Sequence, residues 1–200
     1  MTPILDNGHG GVIGGRYVTA GKRSPEWHLG TLYEGEFNRA VVNRLIERLN
    51  AEGVAFYHVS PELDDVSLAE RVRRANWITE NHSEHTPYLL SIHANAGGGT
   101  GLEVFTSPGE TTSDKIASTY VEELERGVCL AFGLPMRKDF ADGDPDKEAL
   151  FYVLRKTKCP AILVELGFMD NPTDYKLLHS DRYRRACVDA LFSAIVKLRS

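Results

Sequence analysis

Two histidines each follow a short apolar run, and glycine or asparagine lies within two residues of each. His9 follows the apolar run at residues 3–5 and a turn of Asp, Asn and Gly, and His93 follows the apolar run at residues 88–92. Such runs, bounded by Gly or Asn, predict buried strands. Ligands of open α/β sheets bind outside the carboxyl ends of the strands. We therefore expect the two imidazoles to face one crevice, where they can share one metal ion.

A catalytic zinc site takes three protein ligands and leaves one position open, and two histidines with one glutamate are a standard set. Glu34 is the best candidate for the carboxylate, because it opens a predicted helix directly after the long loop that follows His9. Glu36 and Glu26 are alternatives on sequence alone. A simpler role for Glu34 is to complement the dipole of that helix.

A further carboxylate, Glu165, lies near the end of the apolar run that begins at residue 160. Burying a charge is unfavourable unless the charge is paired or coordinated. Such a carboxylate often has a raised pKa and acts as a general acid or base. Glu165 is therefore the candidate catalytic residue, and a buried ion pair with an arginine is the alternative.

A rival metal set would combine His93 with His82 and His85, which are spaced three apart. These two residues lie in a polar stretch that is typical of an exposed helix end, so we expect them at the surface. His28, in the loop after His9, is a candidate to line the crevice. The sequence contains no GxSxG, GxxxxGK[ST] or HExxH motif, which disfavours a serine hydrolase, a P-loop enzyme and a zincin-type protease.

Strand-like and helix-like segments alternate along the chain. Predicted strands cover residues 3–5, 54–59, 88–93, 101–106, 151–154 and 161–166. Predicted helices cover residues 34–51, 113–132 and 183–198, and one more starts after Ser67, where Glu70 would complete a capping box. This alternation predicts an α/β fold, a single domain over residues 1–200 with a largely parallel, twisted central sheet of about six strands flanked by helices on both faces.

Bulk composition narrows the classes of partner. The chain has 200 residues, of which 42% are hydrophobic and 26% charged, and a net charge of −5 with scattered basic residues, so it lacks the basic patch of a nucleic-acid-binding protein. No apolar stretch approaches the roughly 18 residues of a membrane span. The three widely spaced cysteines predict buried apolar side chains and a reducing compartment of synthesis rather than a disulfide framework.

Six short segments carry a resemblance to a known family. They are DNGHGG at residues 6–11, EGEFN at 34–38, the Arg-to-Asn stretch at 71–76, SIHAN at 91–95, GLEVF at 101–105 and PAILVELGFMDN at 160–171. In this order they resemble the zinc-dependent N-acetylmuramoyl-L-alanine amidases of the Amidase_3 type, found in bacterial autolysins and phage endolysins. That resemblance implies hydrolysis of the amide bond between N-acetylmuramic acid and L-alanine in peptidoglycan.

The resemblance also implies the roles of particular residues. It implies one Zn²⁺ bound by His9, Glu34 and His93, with Glu165 as the catalytic carboxylate. It favours Glu34 over the neighbouring glutamate because the EGEFN segment fixes the register. Three further residues are candidates for supporting roles: Asn95 and Arg71 as polar contacts to substrate, and Asp6 as a partner that orients a ligand histidine.

Some expectations concern what lies outside these motifs. Asn7 stands where the family usually has proline, and we expect a small local change. The loops at residues 12–32 and 140–147 match no family pattern and are expected to shape the substrate groove. We expect a monomer that does not bind nucleic acid or insert into a membrane. No signal peptide is visible, so we expect synthesis in the cytoplasm and access to the cell wall by phage release, a virion or another export route.

Two rival functions accompany this interpretation. One is a zinc peptidase or an amidase acting on another bond, and the other is an inactive cell-wall-binding module of the same fold. The presence of all four implied site residues disfavours the inactive module.

Overall fold

The central sheet has six strands and is parallel through most of its width. A computed structural model describes residues 1–109 and 111–199. Its strands are β1 (Thr2–Asn7), β2 (Val12–Ile13), β3 (Arg16–Tyr17), β4 (Tyr57–His58), β5 (Pro87–Asn95), β6 (Glu103–Thr106), β7 (Lys147–Glu148) and β8 (Ala161–Phe168). The order across the sheet is β4-β1-β5-β8-β6-β7, while β2 and β3 form a separate hairpin. Only β6 and β8 pair antiparallel within the described sheet. This topology confirms the predicted α/β class.

Helices cover both faces of the sheet. They are α1 (Glu34–Ala51), α2 (Leu68–Asn81), α3 (Thr112–Leu124), α4 (Leu130–Phe132), α5 (Tyr152–Lys156), α6 (Pro172–His179) and α7 (Asp181–Lys197). Side chains alternate between the faces of a strand, and the core divides accordingly. On β5, for example, Leu90 belongs to the large cluster with α1, α3 and α7, whereas Leu89 belongs to the smaller cluster with α2 and α5.

The pairing between β5 and β8 contains an irregularity at the end that bears the candidate site. His93 pairs with Glu165, but Asn95 pairs with Phe168, so β8 carries one extra residue between these two pairs. Gly167 lies within that interval and has a φ of 120°, a conformation that favours glycine. A bulge of this kind bends a strand and redirects the side chains that follow it.

Three predicted elements differ from the structure. The predicted strand at 151–154 is wrong, because these residues form the N-terminus and most of α5. Of the predicted strand at 54–59, only Tyr57–His58 forms a strand. The predicted helix at 113–132 is interrupted by a π-helical turn at Glu125–Cys129. The two strand predictions concern short apolar stretches, and the helix prediction concerns a local shift in backbone hydrogen bonding. The spacing of apolar residues in the sequence resolves neither kind of feature.

Helix α2 begins as predicted, but its cap is simpler than a capping box. The Ser67 hydroxyl accepts a hydrogen bond from the Glu70 backbone N–H. The Glu70 carboxylate pairs instead with Arg73 and Arg74. These arginines outcompete the serine backbone because they carry a charge.

The three cysteines are free and buried, which agrees with their predicted apolar role. Among the described residues, no helix is both long and apolar enough to cross a membrane.

Candidate active site

A cleft of about 860 Å³ opens at the carboxyl ends of the parallel strands β1, β5 and β8. It is lined by the ends of these strands, by the loop after β1, by the start of α2 and by α5. The seven residues that received a role from the family resemblance all line it: Asp6, His9, Glu34, Arg71, His93, Asn95 and Glu165.

Two imidazoles converge on one carboxylate oxygen. His93 Nδ1 lies 2.9 Å from Glu34 Oε1. His9 Nε2 lies 3.2 Å from the same oxygen, but without the alignment of a hydrogen bond, so this buried nitrogen has no hydrogen-bond partner among the described residues. The two rings are nearly perpendicular, at 89°, with centroids 5.1 Å apart.

This donor set fits a metal ion. One ligand atom from each of His9, Glu34 and His93 lies within 4.8 Å of the others. Two imidazole nitrogens with one carboxylate oxygen are a common catalytic zinc set. The buried His9 nitrogen without a hydrogen-bond partner supports the same interpretation, because a buried polar atom normally has one.

The electrostatics of the triad favour an ionised glutamate. Burial alone would raise the pKa of Glu34, but the close imidazoles of His9 and His93, the latter through a hydrogen bond, lower it well below its usual range. Burial lowers the pKa of His93, and the hydrogen bond and charge of Glu34 more than offset this, so the net shift is upward. The carboxylate is thus held in its ligating form.

The turn at the end of β1 packs closely against His93 and against the first turns of α1. A Cβ on Gly8 would lie 2.0 Å from His93 Cε1, so only glycine leaves room for the ring. His9 has a φ of 68°, an unusual value for a residue with a side chain. Asn38 is fully buried and donates from Nδ2 to the Gly8 carbonyl at 2.8 Å. Helix α1 therefore holds the β1 turn that presents His9.

Glu165 lies beside the triad on β8, in register with His93. Its side chain is 8% exposed, and Oε2 has no hydrogen-bond partner among the described residues. Burial raises the pKa of Glu165 to about 8; nearby His93 opposes this shift, and the acidic Glu34 and Glu103 add to it. The structure contains no arginine pair for Glu165 among its described ion pairs, which disfavours the alternative of a buried salt bridge.

Asp6 and Arg71 form a buried pair next to the cleft. Arg71 Nη1 donates to Asp6 Oδ1 and to the Asn7 carbonyl. The other Asp6 contacts come from the hydroxyls of Ser60, at 2.8 Å, and Ser91, at 2.7 Å. Among the described residues Asp6 makes no hydrogen bond to His9 or His93, but its charge helps to raise the pKa of His93, so its role in orienting a ligand stays a prediction. Its hydrogen bonds tie β1 to α2 and β5.

Asn7 stands where the family pattern has proline, and both its backbone and its side chain make hydrogen bonds beside the Asp6–Arg71 pair. Its backbone N–H, which proline would lack, donates to Ser60 Oγ at 3.0 Å. Its side-chain Oδ1 lies 2.7 Å from His58 Nε2.

Glu103 is a site neighbour that the sequence analysis did not single out. It is 3% exposed, pairs with Glu165 across the β6–β8 ladder and accepts a hydrogen bond from Asn95 Nδ2. Arg137 Nε and Lys147 Nζ lie 2.8 and 2.7 Å from its Oε1. The available signal was the same as for Glu165, a carboxylate in an apolar strand.

The alternatives from sequence lie away from the cleft. His82 and His85 flank the start of β5, with His85 Nδ1 2.9 Å from the Tyr57 hydroxyl, whereas His93 lies near its other end. Glu36 Oε1 accepts the Val12 N–H at 2.9 Å. Glu26 is exposed and does not line the cleft.

Two expectations about the surroundings of the cleft are also wrong. His28 does not line it and lies against the Tyr175 ring instead. The loop at residues 12–32 contributes residues 20–22 to the lining of the cleft, but the loop at 140–147 contributes none. Residues 151–153, which follow the second loop, line the cleft instead.

Comparison with known proteins agrees with this geometry. The family model described as N-acetylmuramoyl-L-alanine amidase, Amidase_3, matches residues 4–197. The N-acetylmuramoyl-L-alanine amidase CwlM of Bacillus licheniformis is 33% identical over 180 residues, which is 90% of this chain and 61% of that protein. The chain thus spans less than two thirds of that relative.

Solved structures share the fold over the whole chain. The amidase AmiC2 of Nostoc punctiforme is 27% identical with a TM-score of 0.77, covering 100% of this chain and 97% of the other. An amidase from Clostridium difficile 630 has a TM-score of 0.77 at 23% identity, with coverage of 100% and 97%. With the family match spanning nearly all of the sequence, the chain belongs to the Amidase_3 family of N-acetylmuramoyl-L-alanine amidases.

Proposed function

We propose that this chain hydrolyses the amide bond between the lactyl group of N-acetylmuramic acid and the L-alanine of the peptidoglycan stem peptide. The observation that carries the proposal is the convergence of His9, His93 and Glu34 beside Glu165, whose buried Oε2 has no hydrogen-bond partner in the part of the chain that the structure describes. The family match supports the choice of bond.

One Zn²⁺ would be held by His9 Nε2, His93 Nδ1 and Glu34. When bound, zinc supplies Lewis acidity, which lowers the pKa of water toward neutrality and stabilises negative charge on a carbonyl oxygen. The chain itself contributes the fixed orientation of these ligands through Gly8 and Asn38.

Glu165 is the proton carrier of the proposed reaction. Its free oxygen accepts a proton from the attacking water and returns that proton to the nitrogen of the leaving alanine. The apolar strand around Glu165 keeps the carboxyl dry, so its proton affinity stays high enough for both transfers.

The cleft is proposed to take peptidoglycan, with the chain acting as a monomer at the cell wall. Residues 20–22 and 151–153 both contribute to its lining. Asn95 donates a hydrogen bond to Glu103, and Arg71 donates one to Asp6. Any contact of these two side chains with substrate would therefore use their other polar atoms, where those face the cleft.

Digestion of purified peptidoglycan tests the proposal. The zinc-loaded protein should release intact stem peptides with a new L-alanine amine and leave the glycan strands unbroken, as identified by mass spectrometry. Cleavage within the stem peptide would identify a peptidase instead. Binding without any product would identify an inactive wall-binding module.

A further inference from the structure

A second cluster of acidic side chains lies outside the catalytic cleft. Asp114 stands in the first turn of α3, while Asp144 and Asp146 come from the loop that leads into β7. One carboxylate oxygen of each lies within 4.8 Å of the others. Segments about 30 residues apart in the sequence therefore bring three negative charges to one point.

One member of this cluster is buried and incompletely satisfied. Asp146 is 3% exposed, and its Oδ1 has no hydrogen-bond partner among the described residues. Its Oδ2 accepts a hydrogen bond from the Thr106 hydroxyl at 2.8 Å, which fixes the carboxylate at the end of β6. A buried carboxylate oxygen without a partner is unfavourable, and a cation bound beside it would relieve that cost.

The lysine that follows Asp146 in the chain is engaged elsewhere. Lys147 Nζ lies 2.7 Å from Glu103 Oε1. The hydrogen bonds by which Asp114 caps α3 stabilise only one of the three carboxylates. They therefore offset only part of the repulsion between the three negative charges.

We propose that Asp114, Asp144 and Asp146 form a second metal site that binds a hard divalent cation of the calcium class. An all-oxygen carboxylate set suits Ca²⁺, which accepts irregular geometry and completes its coordination with water. This set contains no nitrogen or sulfur ligand, in contrast with the histidine-containing catalytic triad. The proposal does not depend on the catalytic function.

The site would join the N-terminus of α3, the end of β6 and the loop before β7. Because β7 is followed within a few residues by the cleft wall at 151–153, a bound cation would fix the segment that leads into that wall.

The competing explanation is a proton shared within the cluster. Burial and the adjacent Asp144 raise the pKa of Asp146 to about 7 without any cation. A shared proton would relieve the repulsion but would give the protein no affinity for calcium.

Calcium titration of the zinc-loaded protein in calcium-free buffer tests the site. Isothermal titration calorimetry with CaCl₂ should give one saturable event per chain, with a dissociation constant of about 10⁻³ M or tighter, and the Tm should rise with calcium. Asp146→Asn should weaken binding at least about tenfold and abolish the rise in Tm. The exposed Asp142, in the same loop but outside the cluster, supplies the matched control, and Asp142→Asn should bind as the parent does.

Absence of saturable binding in the parent protein would overturn the proposal, as would equal binding by Asp146→Asn. Should Asp146→Asn fail to fold, the less buried Asp144 takes its place, and calcium binding retained in Asp144→Asn would overturn the proposal equally.

Discussion

At the scale of single residues, the role proposed for Glu165 follows from its surroundings. The carboxylate is buried near Glu34 and Glu103 and has one free oxygen. Glu165→Gln keeps the side-chain volume but removes the proton acceptor, so we expect kcat on peptidoglycan to fall by about 10²- to 10⁴-fold. Zinc content and the urea unfolding midpoint should not fall, because the change removes a charge from an acidic neighbourhood.

Glu47, exposed on α1, provides a matched control, and Glu47→Gln should retain full kcat. A Glu165→Gln protein that keeps near-normal turnover would exclude Glu165 as the proton carrier.

The choice between two nearby glutamates gives a second prediction at this scale. Glu34 contacts both imidazoles, whereas Glu36 accepts a backbone hydrogen bond from Val12. Glu34→Gln should weaken zinc binding by more than the roughly 10- to 100-fold caused by loss of an outer partner. Glu36→Gln should leave zinc affinity unchanged. Competition with a chromogenic zinc chelator measures both, and equal affinities in the two variants would remove Glu34 from the ligand set.

The sequence indicated which residues would meet in the cleft better than it indicated their hydrogen-bond and ion-pair partners. His9, His93 and Glu165 stand out because polar residues at the ends of apolar strands are unusual. Arg71 and Glu103 did not reveal their partners, because those contacts join distant segments: Arg71 with Asp6, and Glu103 with Lys147. The spacing of residues in the sequence does not show which distant side chains pair.

At the scale of secondary-structure elements, α5 forms a wall of the cleft that sequence analysis assigned to a strand. Tyr152 is 43% exposed and lines the cleft, whereas Phe140 is 64% exposed and does not. If the wall contacts substrate, Tyr152→Ala should raise KM about fivefold, which corresponds to about 1 kcal/mol of aromatic contact. Phe140→Ala should leave KM unchanged. Steady-state kinetics on solubilised peptidoglycan compares the two, and an unaltered KM in Tyr152→Ala would remove α5 from the binding surface.

Length explains which elements could be predicted. The helix Glu34–Ala51 repeats its apolar residues over five turns, so its start and end match the prediction. The α5 segment has five residues, too few to distinguish a helical period from a strand. Its buried Val153 and Leu154 face the smaller core cluster, and that tertiary packing decides the outcome.

At the scale of the whole molecule, the buried pair of Asp6 and Arg71 links the central sheet to α2. Removing one member of a buried ion pair leaves an uncompensated charge, so Asp6→Ala should lower the free energy of unfolding by about 3–5 kcal/mol at pH 7. Urea denaturation measures this difference. A loss below 1 kcal/mol would mean that the pair contributes little to stability.

The same pair predicts how stability responds to acid. Burial raises the pKa of Asp6, but the charges of Arg71 and His93 and the hydrogen bonds from Ser91 and Ser60 together lower it by more, so the folded-state pKa is below the ordinary value of 3.8. The unfolded chain therefore binds the proton more readily, and this stabilisation is present above about pH 4 and lost as the pH falls through the folded value. Urea midpoints between pH 6 and pH 3 should fall less steeply for Asp6→Asn than for the parent protein, and equal slopes would contradict the assignment.

The extra residue in β8 has a consequence for insertions and deletions. Deleting Gly167 would restore regular pairing between β5 and β8, and a sequence comparison would score the change as a loss of one small residue. The deletion would leave Phe168 opposite Asn95 but would remove the positive-φ residue that bends β8 just before it, so the buried Phe168 side chain would be redirected. The length of β8 beside the cleft is therefore constrained by this bulge, and a paired insertion and deletion on the same strand should be better tolerated than either alone.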